Sequence, residues 1–140
     1  MQGAKIIDLQ TIQNSKGDLT FVEEANHIPF SIKRIYYLYN IPNGSERGGH
    51  AHKNLKQLII PLSGSFTVIL DNGSTKEAHT LNNPSKGLLL ENMLWRELVD
   101  FSSNAVCMVL ASELYDEDDY YRNYDDFLEA RQNEQANKVS

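Results

Sequence analysis

At 140 residues the chain fits one domain and is long enough to bury a core without disulfide or metal staples. Apolar residues make up 41% and charged residues 23%, ordinary values for a soluble globular protein. The net charge of −6 excludes nucleic acid as the main partner, which needs a basic stripe, but leaves room for a small anion in a local basic pocket.

The chain opens with MQGAKIIDLQ, which has neither a basic start nor a long apolar stretch. No signal peptide or membrane span is legible, and the expected location is the cytoplasm. Short alternating or apolar runs then follow, separated by turn residues, which is the pattern of antiparallel β structure. The predicted strands are LTFVEE (19–24), IKRIYYLYN (32–40), GGHAHK (48–53), KQLIIPLSG (56–64), SFTVILD (65–71), KEAHTL (76–81), GLLLEN (87–92), WRELVDF (95–101) and AVCMVLAS (105–112). Asn72-Gly73 is the clearest hairpin signal, since both residues tolerate positive φ. Phe66, Val68 and Leu70 share one parity and are assigned to an inward face. Cys107 lies in an apolar run and is expected to be a buried thiol. A single cysteine forms no intrachain disulfide, which fits a reducing compartment. Strands recurring every 8–12 residues or so predict an all-β sandwich or barrel.

The character changes near residue 116. Residues 116–140 read as a helical extension on a single domain spanning 1–140. Tyr120, Tyr124, Phe127 and Leu128 have helical spacing. The cluster Asp116-Glu117-Asp118-Asp119 is assigned to the helix start, where the dipole favours acids, and the last ten or so residues are expected to fray. That cluster lacks the glycine-bearing loop of an EF-hand calcium site.

Gly48-Gly49-His50-Ala51-His52 carries the sharpest chemical signal. On a strand, His50 and His52 project from one face about 7 Å apart. Such a pair serves as metal ligands or as an acid/base couple near neutral pH. His27 and His79 fall in polar surroundings and read as surface residues. Tyr36, Tyr37 and Tyr39 lack the basic interleaving of a nucleic-acid stacking platform.

Gly44, five residues, His50-x-His52, four residues, Gln57, six residues and Gly64 resemble the first cupin motif. Cupins usually ligate a transition metal through three histidines and a glutamate. Here Gln57 stands at the glutamate position and Arg96 at that of the third histidine, so neither a carboxylate nor a third imidazole is supplied. The expectation is no metal and no other cofactor.

PFSIKRIYYLYN (29–40), RGGHAHKNLKQLIIPLSGSFTVILDNG (47–73), LWRELVDFSS (94–103) and VLASELYDEDDYYRNYDDF (109–127) together resemble the cupin-type sugar 3,4-ketoisomerases, which act on dTDP-4-keto-6-deoxyglucose. The resemblance reaches to about Phe127. It implies a jelly-roll barrel, a homodimer, and a place in making 3-amino-3,6-dideoxy sugars for surface polysaccharides. It also implies His50 as the base at sugar carbon 3 and His52 as the shuttle between the two oxygens. Arg34, Tyr36, Arg47, Gln57, Trp95, Arg96 and Lys16 are the expected substrate contacts. Arg47 is matched to the pyrophosphate, and Trp95 is either a barrel plug or a stacking surface. Lys16 stands, with Arg96, at a position that varies in the family, and the two leave the carbon-4 stereochemistry open. The alternatives are 3,5-epimerisation of the same sugar, a non-catalytic sugar-binding cupin, and a metal cupin.

Overall fold

In a computed structural model that describes residues 1–139, the regular structure of the chain is mostly antiparallel strands. They are β1 (Ala4–Asp8), β2 (Gln10–Asn14), β3 (Gly17–Phe21), β4 (Arg34–Leu38), β5 (Arg47–His52) and β6 (Gln57–Ser63). Next come β7 (Phe66–Asp71), β8 (Lys76–Leu81), β9 (Lys86–Leu90), β10 (Trp95–Val99) and β11 (Val106–Ala111). A short 3-10 turn (Glu117–Asp119), β12 (Tyr120–Tyr121) and helix α1 (Tyr124–Val139) complete the chain.

Two five-stranded sheets, ordered β1-β9-β6-β11-β4 and β12-β5-β10-β7-β8, form a jelly-roll sandwich. Their facing sides share one core. Phe66, Val68 and Leu70 are fully buried there, as their parity predicts, against Ile59, Leu88 and Val109 of the other sheet. Each such side chain contributes about 1.5–3 kcal/mol of burial free energy. β6 reads as a continuous apolar run because both its faces are covered. Ile59 enters the shared core, while Leu58 and Ile60 pack outward with Leu9, Ile28 and Leu110.

β7 and β8 pair around Asn72-Gly73 as expected, with Gly73 at φ +91. The sequence reading omits β1 and β2. Most of their side chains are exposed or half-buried, so they lack the apolar alternation that marks the core strands. β1 is fixed instead by its ladder to β9, and β2 pairs with β3 in a hairpin that joins neither large sheet.

The C-terminal segment departs from expectation at both ends. The acidic cluster does not open the helix: Asp116 caps the separate 3-10 turn, and Tyr120 lies in β12, paired with His52. The helix begins at Tyr124 under an Asn123 cap, and Asp125 and Asp126 supply its acidic first turn. Nor does it fray ten residues early, since it continues to Val139. Phe127, fully buried, anchors it on the outer face of the second sheet. The Tyr124 hydroxyl donates to Asp71 at 2.6 Å, and Arg131 donates to the Asn72 carbonyl at 2.8 Å. Among the described residues, no helix is long and apolar enough to cross a membrane.

Candidate active site

A cavity of about 540 Å³ opens between the two sheets, with Arg34, Tyr36, His50, Gln57, Arg96 and Tyr120 in its wall. A larger groove, about 680 Å³, lies beneath the β2–β3 hairpin. Its only ionisable lining residue is Asp18, so the acid-base chemistry concentrates in the first cavity.

A β-bulge aims His50 into that cavity. Arg96 of β10 pairs with His50 and Glu97 pairs with Gly48, which leaves Gly49 as the extra residue. Gly48 and Gly49 sit at φ +91 and +65, backbone conformations that L side chains rarely adopt. At Gly48 a Cβ would also approach the Arg96 carbonyl oxygen to 3.0 Å and Glu97 Cα to 3.2 Å. The double glycine therefore lets β5 lie close on β10 while reorienting the residue that follows.

Beneath His50 the wall is a chain of hydrogen bonds. Arg96, 2% exposed, donates through Nη1 to Gln57 Oε1 and through Nη2 to the Leu94 carbonyl at 3.1 Å. Gln57 Nε2 in turn donates to the Tyr36 hydroxyl oxygen at 2.9 Å. Burial raises the Tyr36 pKa above its ordinary value, and burial lowers that of Arg96 to about 10, so Tyr36 is a neutral phenol and Arg96 a cation near neutral pH.

The two histidines occupy different depths. His50 forms part of the cavity wall. His52, 1% exposed, lies behind it, with ring centroids 4.9 Å from His50 and 4.4 Å from Tyr120. Burial, then the Arg96 cation, lowers His50 to about 4. The same two causes lower His52 to about 2. Both rings are therefore neutral at pH 7. His52 Nδ1 lies 2.9 Å from Asp119 Oδ2, while its Nε2 is buried without a hydrogen-bond partner.

The mouth is cationic despite the acidic chain. Arg47 and Arg122 line it, and Arg34 packs its guanidinium over the rings of Tyr36 and Tyr115 at 5.2 and 5.7 Å. Arg122 is held by Glu117 and lies 4.1 Å above the Tyr120 ring. That hydrogen bonding lowers the Glu117 carboxyl to about 2.

Of the residues named from sequence, Arg34, Tyr36, Arg47, His50, Gln57 and Arg96 converge on this cavity. Trp95 does not, because strand alternation turns it away from Arg96 and under the helix, against Tyr124 and Phe127. It plugs the outer layer and stacks on nothing in the cavity. Lys16 is exposed in the β2–β3 turn and lines no part of its own chain's cavity. His27 and His79 are likewise outside it, hydrogen-bonded to Gln10 and Glu77. Sequence reasoning missed Asp119, Tyr120 and Arg122, which it assigned to a helix. Only the pairing of β12 with β5 brings them to the site.

The donor set does not fit the divalent metal of ordinary cupins. Gln57 Oε1 is engaged by a guanidinium, and Arg96 puts a permanent cation beside the two imidazoles. Among the described residues, no three His, Cys, Asp or Glu side chains converge.

A jelly roll whose interior holds neutral imidazoles beside buried arginine defines a cupin-type barrel suited to proton transfer. The chain belongs to the FdtA (WxcM-like, C-terminal) family, whose model matches residues 2–132. It is 48% identical over 123 residues, 88% of each chain, to a TDP-4-oxo-6-deoxy-α-D-glucose 3,4-oxoisomerase of Aneurinibacillus thermoaerophilus. The structure of QdtA, a sugar 3,4-ketoisomerase of Thermoanaerobacterium thermosaccharolyticum in complex with TDP, superposes with a TM-score of 0.93 at 39% identity. The match covers 96% of this chain and 98% of that one. A mutant of QdtA in complex with TDP-4-keto-6-deoxyglucose gives 0.93 at 38%, over 95% and 96% of the two chains. NovW, a 4-keto-6-deoxy sugar epimerase of Streptomyces spheroides, matches at 14% identity and 0.73 over 86% and 68%, a likeness of fold alone.

Proposed function

We propose that this protein is a metal-independent 3,4-ketoisomerase of a dTDP-linked 4-keto-6-deoxyhexose. The observation that carries the reading is a neutral imidazole, His50, on the wall of a cavity that four arginines (Arg34, Arg47, Arg96 and Arg122) also line, against one carboxylate, Glu46. The family relationship supplies the substrate class, and the cationic mouth suits a diphosphate.

The isomerisation transfers one hydrogen between carbons and one between oxygens. His50 removes the proton from carbon 3, leaving an enediolate with its negative charge on the carbon-4 oxygen. His52 Nε2 then accepts the proton of the carbon-3 hydroxyl and passes it to the carbon-4 oxygen, which moves the charge to the carbon-3 oxygen. His50 returns its proton to carbon 4 as the carbon-3 oxygen becomes the ketone. This assignment requires a substrate oxygen within hydrogen-bond distance of His52 Nε2, a bond that the buried atom otherwise lacks. Arg96 stabilises negative charge developing on the enediol oxygens, and Gln57 and Tyr36 hold it in place.

We further propose a homodimer. Ile12 and Leu19 on the hairpin are 54% and 56% exposed, and Ile35 and Leu62 on the adjoining sheet are 55% and 45% exposed. Ile35 and Leu62 line the larger groove, Ile12 pairs with Leu19 on the hairpin's other face, and a second copy covering these residues removes them from water. Light scattering on the purified protein is expected to give twice the chain mass, and a monomer refutes this part.

The deciding test of function is incubation with dTDP-4-keto-6-deoxyglucose followed by NMR. The ketone is expected to move to carbon 3. Exchange at carbons 3 and 5 with the ketone still at carbon 4 establishes epimerisation instead, and binding without turnover establishes a non-catalytic cupin.

A further inference from the structure

Asp119 is buried at 8% exposure, and both its carboxylate oxygens are committed. Oδ2 lies 2.9 Å from His52 Nδ1, and Oδ1 accepts the backbone N–H of Asn54 at 2.7 Å. Its backbone is also pinned, since its carbonyl accepts the Lys53 N–H at 2.8 Å and its N–H donates to the Asp116 carbonyl at 3.0 Å. The 3-10 turn thus delivers one carboxylate to one imidazole at a fixed angle, across 67 residues of sequence.

A neutral imidazole carries one N–H, and the atom facing a carboxylate must be the donor. From this geometry we infer that Asp119 is a positioning residue for the isomerisation, fixing His52 as the Nδ1–H tautomer so that Nε2 presents a lone pair to substrate. The inference rests on the proton-shuttle role assigned to His52. The lowered His52 pKa is consistent with it, because a ring that stays neutral must choose a tautomer. The unpartnered Nε2 is the second, independent observation, being the one buried His52 atom free to accept a hydrogen bond.

The Asp119→Asn variant tests this with little change of shape. An asparagine has one oxygen, and the Asn54 N–H can only donate, so that oxygen stays on Asn54. The amide NH₂ must then face His52 Nδ1 and donate to it. The tautomer inverts, and Nε2 becomes an N–H that cannot accept. In ¹⁵N NMR of imidazole-labelled protein, wild-type His52 is expected to show a protonated Nδ1 and a bare Nε2, and the variant the reverse. The expected loss in kcat is on the order of 10²–10⁴-fold, the range for misplacing a general acid-base group, with KM within about threefold. Asp118→Asn, an exposed neighbour, is the control for charge.

A wild-type His52 already protonated at Nε2 overturns the inference even if the variant fails to fold. So does an inverted ring in a variant whose kcat stays within about threefold of wild type, or an unchanged ring pattern in a folded variant. A wild-type protein that does not isomerise the sugar sinks the functional reading instead. The ¹⁵N pattern then still decides whether Asp119 sets the tautomer.

Discussion

Arg96 and Gln57 are locked together at the base of the cavity, the guanidinium donating to the amide oxygen and the amide nitrogen donating onward to Tyr36 at 2.9 Å. In ordinary cupins the two corresponding positions hold metal ligands. Here they form a closed polar pair that presents a fixed positive charge to the cavity, an arrangement compatible with the base role proposed for the adjacent His50.

Replacing His50 with Asn keeps the polar wall but removes the basic nitrogen. Its kcat is expected to fall on the order of 10²–10⁴-fold, while the dissociation constant for TDP, read by calorimetry, stays within about threefold. Turnover near wild type assigns the base elsewhere.

Acidification is expected to destabilise the protein. Both cavity histidines titrate well below the ordinary 6.5, His50 at about 4 and His52 at about 2. Between these values and 6.5 the unfolded chain binds protons that the folded one does not, so stability rises with pH across that window and is lost as pH falls. From pH 7 to pH 5 the unfolding free energy should drop by roughly 2–4 kcal/mol from the two rings together. Urea titration at the two pH values, on wild type and on the variant with both histidines changed to Gln, reads the difference. An equal slope in both proteins contradicts the assignment.

The two bulge glycines should differ in their tolerance of a methyl group. At Gly49 no atom lies within 4 Å of a new Cβ, so alanine pays only for its positive φ, about 1–2 kcal/mol. At Gly48 the same substitution also pushes against the Arg96 carbonyl and Glu97 Cα. Gly48→Ala is therefore expected to lower Tm further than Gly49→Ala and to reduce kcat by displacing His50. Equal Tm values in the two variants contradict the close approach of β5 to β10.

Trp95 separates a structural aromatic from a ligand-stacking one. Trp95→Phe is expected to cost roughly 1–3 kcal/mol of stability through its contacts with Phe127 and Tyr124, and to leave TDP affinity within about twofold. A tenfold loss of affinity in a protein of unchanged Tm would place the indole at the ligand.

The period-2 alternation of β7 was legible because burial there follows from side-chain parity alone. Parity also puts His50 and His52 on one side of β5, yet it assigns them equal standing. The structure places one in the cavity wall and the other behind it. β1 and β2 were illegible because their order comes from ladder hydrogen bonds and not from an apolar face.

By itself the sequence determined an all-β chain, two histidines on one strand face, and the glycine pair that precedes them, since each depends only on neighbours along the backbone. The tertiary structure decided which distant side chains meet those rings. It turned Trp95 outward, left Lys16 on the surface, and carried Asp119 and Tyr120 to His52. Such meetings depend on strand order and register, which are set by packing the whole barrel and not by any local run of residues.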